Sequence, residues 1–178
     1  MKTYLTYGFL KTFVLFLLTL VLFVCGLQSD AANLTLGNVI LGVASFVISV
    51  TFLALGIRAR RSAVPASEDF TYGWAFGAGV AVQFFAALLG IVTTYLYVAV
   101  INPRFTDIML QAQADKLQAR GMSDDQIERM QHFGHMFAGP GMQAAFGFLG
   151  SMIWGVIISL ILAAIFRRPA SEPPAVSS

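Results

Sequence analysis

The sequence predicts an all-α integral membrane protein. Four transmembrane helices form a bundle, and an extracytoplasmic helical hairpin joins the third to the fourth. Three observations lead there. Charged residues make up 11% of the 178 positions, and hydrophobic ones 57%. Soluble domains carry about 25% charge, so this chain could not cover a water-facing surface. Charges also cluster, leaving uncharged intervals of 18 residues between Lys11 and Asp30, 27 between Asp30 and Arg58, 34 between Asp69 and Arg104, and 37 between Arg129 and Arg167. Finally, runs such as Phe13-Val14-Leu15-Phe16-Leu17-Leu18 do not alternate apolar with polar, which excludes a membrane β-barrel.

A helix needs about 20 apolar residues to cross a hydrocarbon core of roughly 30 Å. Each interval supplies one crossing. The spans are placed near 9–28, 37–57, 73–101 and 142–166, within a single domain over 1–168. Residues 169–178 are read as a disordered cytoplasmic tail. The first segment could be read as a signal peptide, with Lys2 and Lys11 as its basic region. Its cleavage site near Ser29-Asp30-Ala31 is loose, and the span is preferred.

Orientation comes from Lys and Arg. Lys2, Lys11, Arg58, Arg60, Arg61, Arg167 and Arg168 all fall on one side in this reading. The first connection, Ser29 to Leu36, has no basic residue. The positive-inside rule makes the basic side cytoplasmic, with both termini on the cytoplasmic side of the bacterial inner membrane. Tyr4, Tyr7, Tyr72 and Trp74 mark the inner interface, and Tyr95 and Tyr97 the outer one.

Small and polar residues recur at spacings of three and four on each later span. They are Asn38, Gly42, Ser45, Ser49 and Gly56 on the second, and Gly79, Gln83, Ala86, Gly90, Thr94 and Tyr97 on the third. On the fourth they are Gly147, Ser151, Gly155, Ser159 and Ala163. The first span is sparser, with Thr12, Thr19 and Gly26. In lipid, helices associate through close backbone approach and interhelical hydrogen bonds. The stripes are therefore expected to face one another as a bundle seam, with a cavity as the sharper alternative. The third and fourth spans are expected to be antiparallel neighbours, with Gly79 and Gln83 near Ser159. Gln83 is the one strongly polar side chain read as lying deep in a span, so it is the candidate intramembrane polar contact. With Lys11 read as an inner boundary, no ionisable residue is expected at mid-membrane.

The third connection is too long for a structureless loop. Asn102-Pro103 stops the third span. Phe105, Ile108, Met109 and Ala112 recur at helical spacing, and Gly121 ends that helix. Ser123 then caps a second helix, with Gln126 completing a capping box. The two helices form the hairpin, about 104–138. On its second arm Glu128, His132 and His135 share a face at i, i+4 and i+7. Imidazole and carboxylate suit Zn, Ni or Cu, which makes these three the weak metal candidates.

Asn102-Pro103-x-Phe105, Gly121-Met122-Ser123-x-x-Gln126-Ile127, Pro140, Gly150 and Gly155-x-Ile157-Ile158-Ser159-Leu160-Ile161 together resemble the bacterial family known as domain of unknown function 4199. Phe70-x-x-Gly73-x-Ala75-Phe76-x-x-Gly79 resembles its entry into the third helix. The likeness runs over roughly residues 3 to 168. It implies a small four-helix bacterial membrane protein, and no activity, cofactor or catalytic residue comes with it. A basic residue that the resemblance would place near Gly77 is missing.

No catalytic motif stands out: there is no Gly-x-Ser-x-Gly, His-Glu-x-x-His or phosphate-binding glycine loop, and Cys25 is a lone cysteine. No catalytic residue or cofactor is assigned. A net charge of +2 argues against nucleic acid as a partner. The partner expected is the lipid bilayer, with a second copy or another membrane protein left open. The functional expectation is a non-enzymatic accessory or envelope-associated protein. The alternative is a small oligomeric transporter or lipid-handling protein with a site between the helices near Gln83, for which a polar cavity reaching Gln83 is the distinguishing feature.

Overall fold

The computed structural model describes residues 1–170, apart from the side chain of Met136. Most of the tail expected over 169–178 lies outside the described residues. The described chain is helical, with one isolated β-bridge. Its helices are α1 (Lys2–Val24), α2 (Ala31–Ser62), α3 (Tyr72–Leu96), α4 (Phe105–Gln118), α5 (Asp124–Phe137) and α6 (Pro140–Phe166). α3 continues into a π-helical turn, Tyr97–Ile101. Four of these helices, counting that turn with α3, are long and apolar enough to cross a membrane: α1, α2, α3 and α6.

Local chemistry explains the boundaries. Gly26, at φ +80°, turns the chain out of α1, and the N–H of Leu27 reaches back to the Leu22 carbonyl at 2.9 Å. The Asp30 carboxylate accepts from the Ala32 N–H at 3.2 Å and starts α2. Thr71 does the same for α3 through the Trp74 N–H, at 3.3 Å. Gly121, also at φ +80°, separates α4 from α5. The Gln126 side chain accepts from the Ser123 N–H at 3.3 Å, as the capping-box motif requires. Pro140 opens α6, where its missing N–H loses nothing.

α1 differs from expectation. It spans 2–24 where the sequence reading placed 9–28, because Lys11 was taken as the boundary of the span. The stretch from Thr3 to Leu10 is uncharged, and Lys2 is the residue at the helix end. Lys11 therefore lies inside the helix, about 13 Å from its start at 1.5 Å per residue.

α3 is central and packs against α1, α2 and α6, with α6 its most extensive partner. The antiparallel register matches expectation: Gly79 abuts Ser159, where an added Cβ would meet the hydroxyl at 2.6 Å. The main hydrophobic core lies at one end of the bundle. There Leu53, Ile57, Val82, Ile158 and Leu162 form a buried core under Tyr4 and Tyr7. At this end Phe70 and Arg168 exchange backbone hydrogen bonds of 2.9 Å, and the Arg168 guanidinium donates to the Val64 and Pro65 carbonyls. The N-terminus, the Arg58–Arg61 end of α2 and the end of α6 thus share one end of the bundle. The α1–α2 turn and the α4–α5 pair occupy the other.

Candidate functional site

Toward the α4–α5 end the four long helices separate around a cavity of about 830 Å³. The residues that line it are largely the small and polar stripes. α1 contributes Thr12 and Thr19, α2 contributes Asn38, Gly42, Ser45 and Ser49, α3 contributes Ala86, Gly90 and Thr94, and α6 contributes Gly147 and Ser151. Both readings of the stripes therefore hold, in different halves. Near the core the small residues make a seam. An added Cβ on Gly155 would run into the Gln83 side chain, and one on Gly79 into Ser159. Farther along, a Cβ on Gly42, Gly90 or Gly147 would meet nothing within 4 Å. There small side chains leave volume in place of contact.

Gln83 sits at the seam end of the cavity, 1% exposed. Its amide nitrogen donates to the Ser151 carbonyl at 2.8 Å, tying α3 to α6. Its carbonyl accepts from the Lys11 ammonium of α1. Lys11 itself is 4% exposed and lines the cavity. This corrects the expectation that no ionisable group lies within the spans. The signal was present in the sequence: an uncharged run on both sides of Lys11, with Lys2 as the end anchor. No Asp or Glu lines the cavity, so the lining carries one cation and no carboxylate among the described residues. Thr12 bonds the Gly8 carbonyl of its own helix at 3.0 Å and the Ala86 carbonyl of α3 at 2.9 Å. Thr19, Thr93 and Ser151 donate to carbonyls of their own helices. Asn38, Ser45, Ser49 and Thr94 add further small polar groups, and the larger lining side chains are mostly apolar, including Leu15, Phe16, Leu41, Phe46 and Trp154.

A second polar knot lies at the far end. The Tyr97 hydroxyl donates to the Gln28 side-chain carbonyl at 2.6 Å. The Asn102 amide donates to the Gln28 backbone carbonyl at 2.9 Å and to the Tyr97 oxygen at 3.2 Å. Tyr97 is thus buried within the bundle and is not the outer-interface anchor the sequence suggested. It follows Gly90 and Thr94 at the spacing of the third span's stripe, and its N–H still bonds the Thr93 carbonyl, so it keeps the stripe's face and meets Gln28 there. From Gln83 to Tyr97 the cavity runs alongside about 20 Å of α3. Its exposed lining residues are Asn38, Gly42, Val43 and Phe46 of α2 with Gly147 and Trp154 of α6. The open side therefore lies between those two helices.

The metal candidates are not drawn into a site. Glu128, His132 and His135 are all exposed on α5, and no group of three or more His, Cys, Asp or Glu converges among the described residues. Cys25 is exposed just past α1.

No curated protein and no solved structure matches the chain. A family model does, described as "Protein of unknown function (DUF4199)", over residues 6–168. That match takes in all six helices except the start of α1, and the chain belongs to the DUF4199 family.

Proposed function

We propose that this protein is a non-enzymatic, four-span membrane protein of the bacterial inner membrane that holds a small amphiphile between its helices. The observation that carries this reading is the cavity itself. It falls within the roughly 300–1,000 Å³ of small-molecule sites, its walls are mostly apolar, and buried hydrogen-bonded polar clusters stand at its two ends. In this reading both termini are cytoplasmic, because Lys2, Arg58, Arg60, Arg61, Arg167 and Arg168 gather at one end of the bundle. The α4–α5 pair is then an extracytoplasmic hairpin over the cavity's outer end, and the open side between α2 and α6 faces lipid. The bilayer is the source of the ligand.

One observation favours a second reading, an accessory protein that docks a membrane partner or a second copy. α5 leaves Met130, Phe133 and Phe137 exposed on one side. Native mass spectrometry from a nonionic detergent separates the two. The amphiphile reading expects a bound small molecule on wild-type protein and its loss in Gly90→Phe, which fills open space. Wild-type protein free of bound molecules across several mild detergents would favour the accessory reading.

A further inference from the structure

We infer that the amphiphile is an acidic one, a long-chain carboxylate whose headgroup takes the Lys11 end of the cavity; this rests on the amphiphile-binding reading above. An ammonium away from water needs an opposite charge or several good acceptors. Lys11 has three N–H donors and finds the Gln83 carbonyl, a neutral acceptor. Gln83 cannot swing its other polar atom to Lys11, since its amide nitrogen is engaged by the Ser151 carbonyl. That second bond fixes which face of the amide Lys11 meets. The residues lining the cavity offer Lys11 no carboxylate. A ligand carboxylate would accept the remaining ammonium donors and supply the missing charge.

The shape of the site argues for a chain behind that headgroup. The volume is elongated, bordering α3 from Gln83 to Tyr97, and its surface is predominantly apolar, with only small uncharged polar groups such as Ser45, Ser49 and Thr94 between the two ends. A small hydrophilic anion would leave this wall unused. A cationic amphiphile would place like charge against Lys11. A neutral one would leave the ammonium as it stands. The chain would enter sideways between α2 and α6, past Gly42 and Gly147, where no side chain obstructs the helix surfaces.

Trp154 lines the cavity and provides the readout. In nanodiscs of zwitterionic lipid, with Trp74→Phe so that Trp154 is the only indole, a brominated long-chain carboxylate should quench fluorescence saturably. Unbrominated carboxylate should compete at least tenfold better than its methyl ester or than an alkyl trimethylammonium of equal length. Acetate should not compete. Lys11→Met should erase the preference for acid over ester, and Lys11→Arg should retain it. Equal competition by acid and ester in the wild-type chain would overturn the acidic-headgroup inference while leaving amphiphile binding intact. Competition by acetate would make this a small-anion site and overturn the long-chain part. Absence of saturable quenching with any probe would overturn the cavity reading as well.

Discussion

Lys11 and Gln83, 72 positions apart in sequence, meet inside the bundle, the ammonium of α1 donating to the side-chain carbonyl of α3. The same amide donates onward to the Ser151 carbonyl of α6. One glutamine thus joins three helices at the level where the packed half of the bundle gives way to the cavity. Everything proposed for this protein turns on that junction.

The junction should show itself as an energetic coupling. Gln83→Leu leaves Lys11 without its acceptor, and a buried polar group so stranded costs about 1–3 kcal/mol, more for a charge. Adding Lys11→Met to Gln83→Leu removes the stranded group. The double variant should therefore melt higher than Gln83→Leu alone in detergent. If the two losses simply add, the residues do not interact.

The two halves of the helix seam should respond oppositely to one kind of substitution. Gly155→Leu drives a side chain into Gln83, and overpacking of this kind costs about 1–3 kcal/mol or more. Gly90→Leu enters open space and exchanges glycine for a better helix former, a difference of up to about 1 kcal/mol in its favour. Thermal unfolding should show Gly155→Leu well below the wild-type chain and Gly90→Leu at or above it. Equal destabilisation would mean the cavity is filled by packing.

Tyr97→Phe deletes the hydroxyl that donates to Gln28 and accepts from Asn102. A loss of about 1–3 kcal/mol is expected, because both partners are buried. The ring itself keeps its edge contacts with Phe23 and Phe105. Were Tyr97 an interfacial anchor instead, phenylalanine there would change stability little.

Orientation is checked by labelling with an impermeant thiol reagent in intact spheroplasts. Cys25 is exposed, so the background must be Cys25→Ser. Cysteines placed at Ala31 and Gln118 should react, and one at Ser62 should not. Labelling at Ser62 alone would invert the topology.

Much of the fold was legible in the sequence because its determinants are local. Uncharged intervals marked α2, α3 and α6. Gly121, Ser123 and Gln126 marked the end of α4 and the start of α5 through backbone and capping chemistry that acts within a few residues. Gln83 stood out for the same reason, as a lone amide in an apolar run. Lys11 did not. A charge beside an apolar run marks a boundary more often than a buried contact, and its partner is remote in sequence. Tyr97 was read both as a stripe residue and as an outer-interface anchor, because a tyrosine near the end of a span suits either, and its partners Gln28 and Asn102 are remote in sequence or past the span end. The cavity was visible only as a stripe of small residues, since periodicity cannot say where facing stripes touch and where they part.

The most direct test of the central claim, that an acidic amphiphile occupies the space between the helices, is photo-crosslinking with a long-chain carboxylate that bears a diazirine on its chain. After irradiation in nanodiscs, peptide mapping should place adducts on cavity-lining positions such as Ser45, Ser49, Thr94 and Ser151. Excess unlabelled carboxylate should suppress them. Adducts confined to outward-facing positions such as Val39, Leu88, Ile161 and Ile165, unaffected by competitor, would show that the chain touches only the outside of the bundle and would contradict the account.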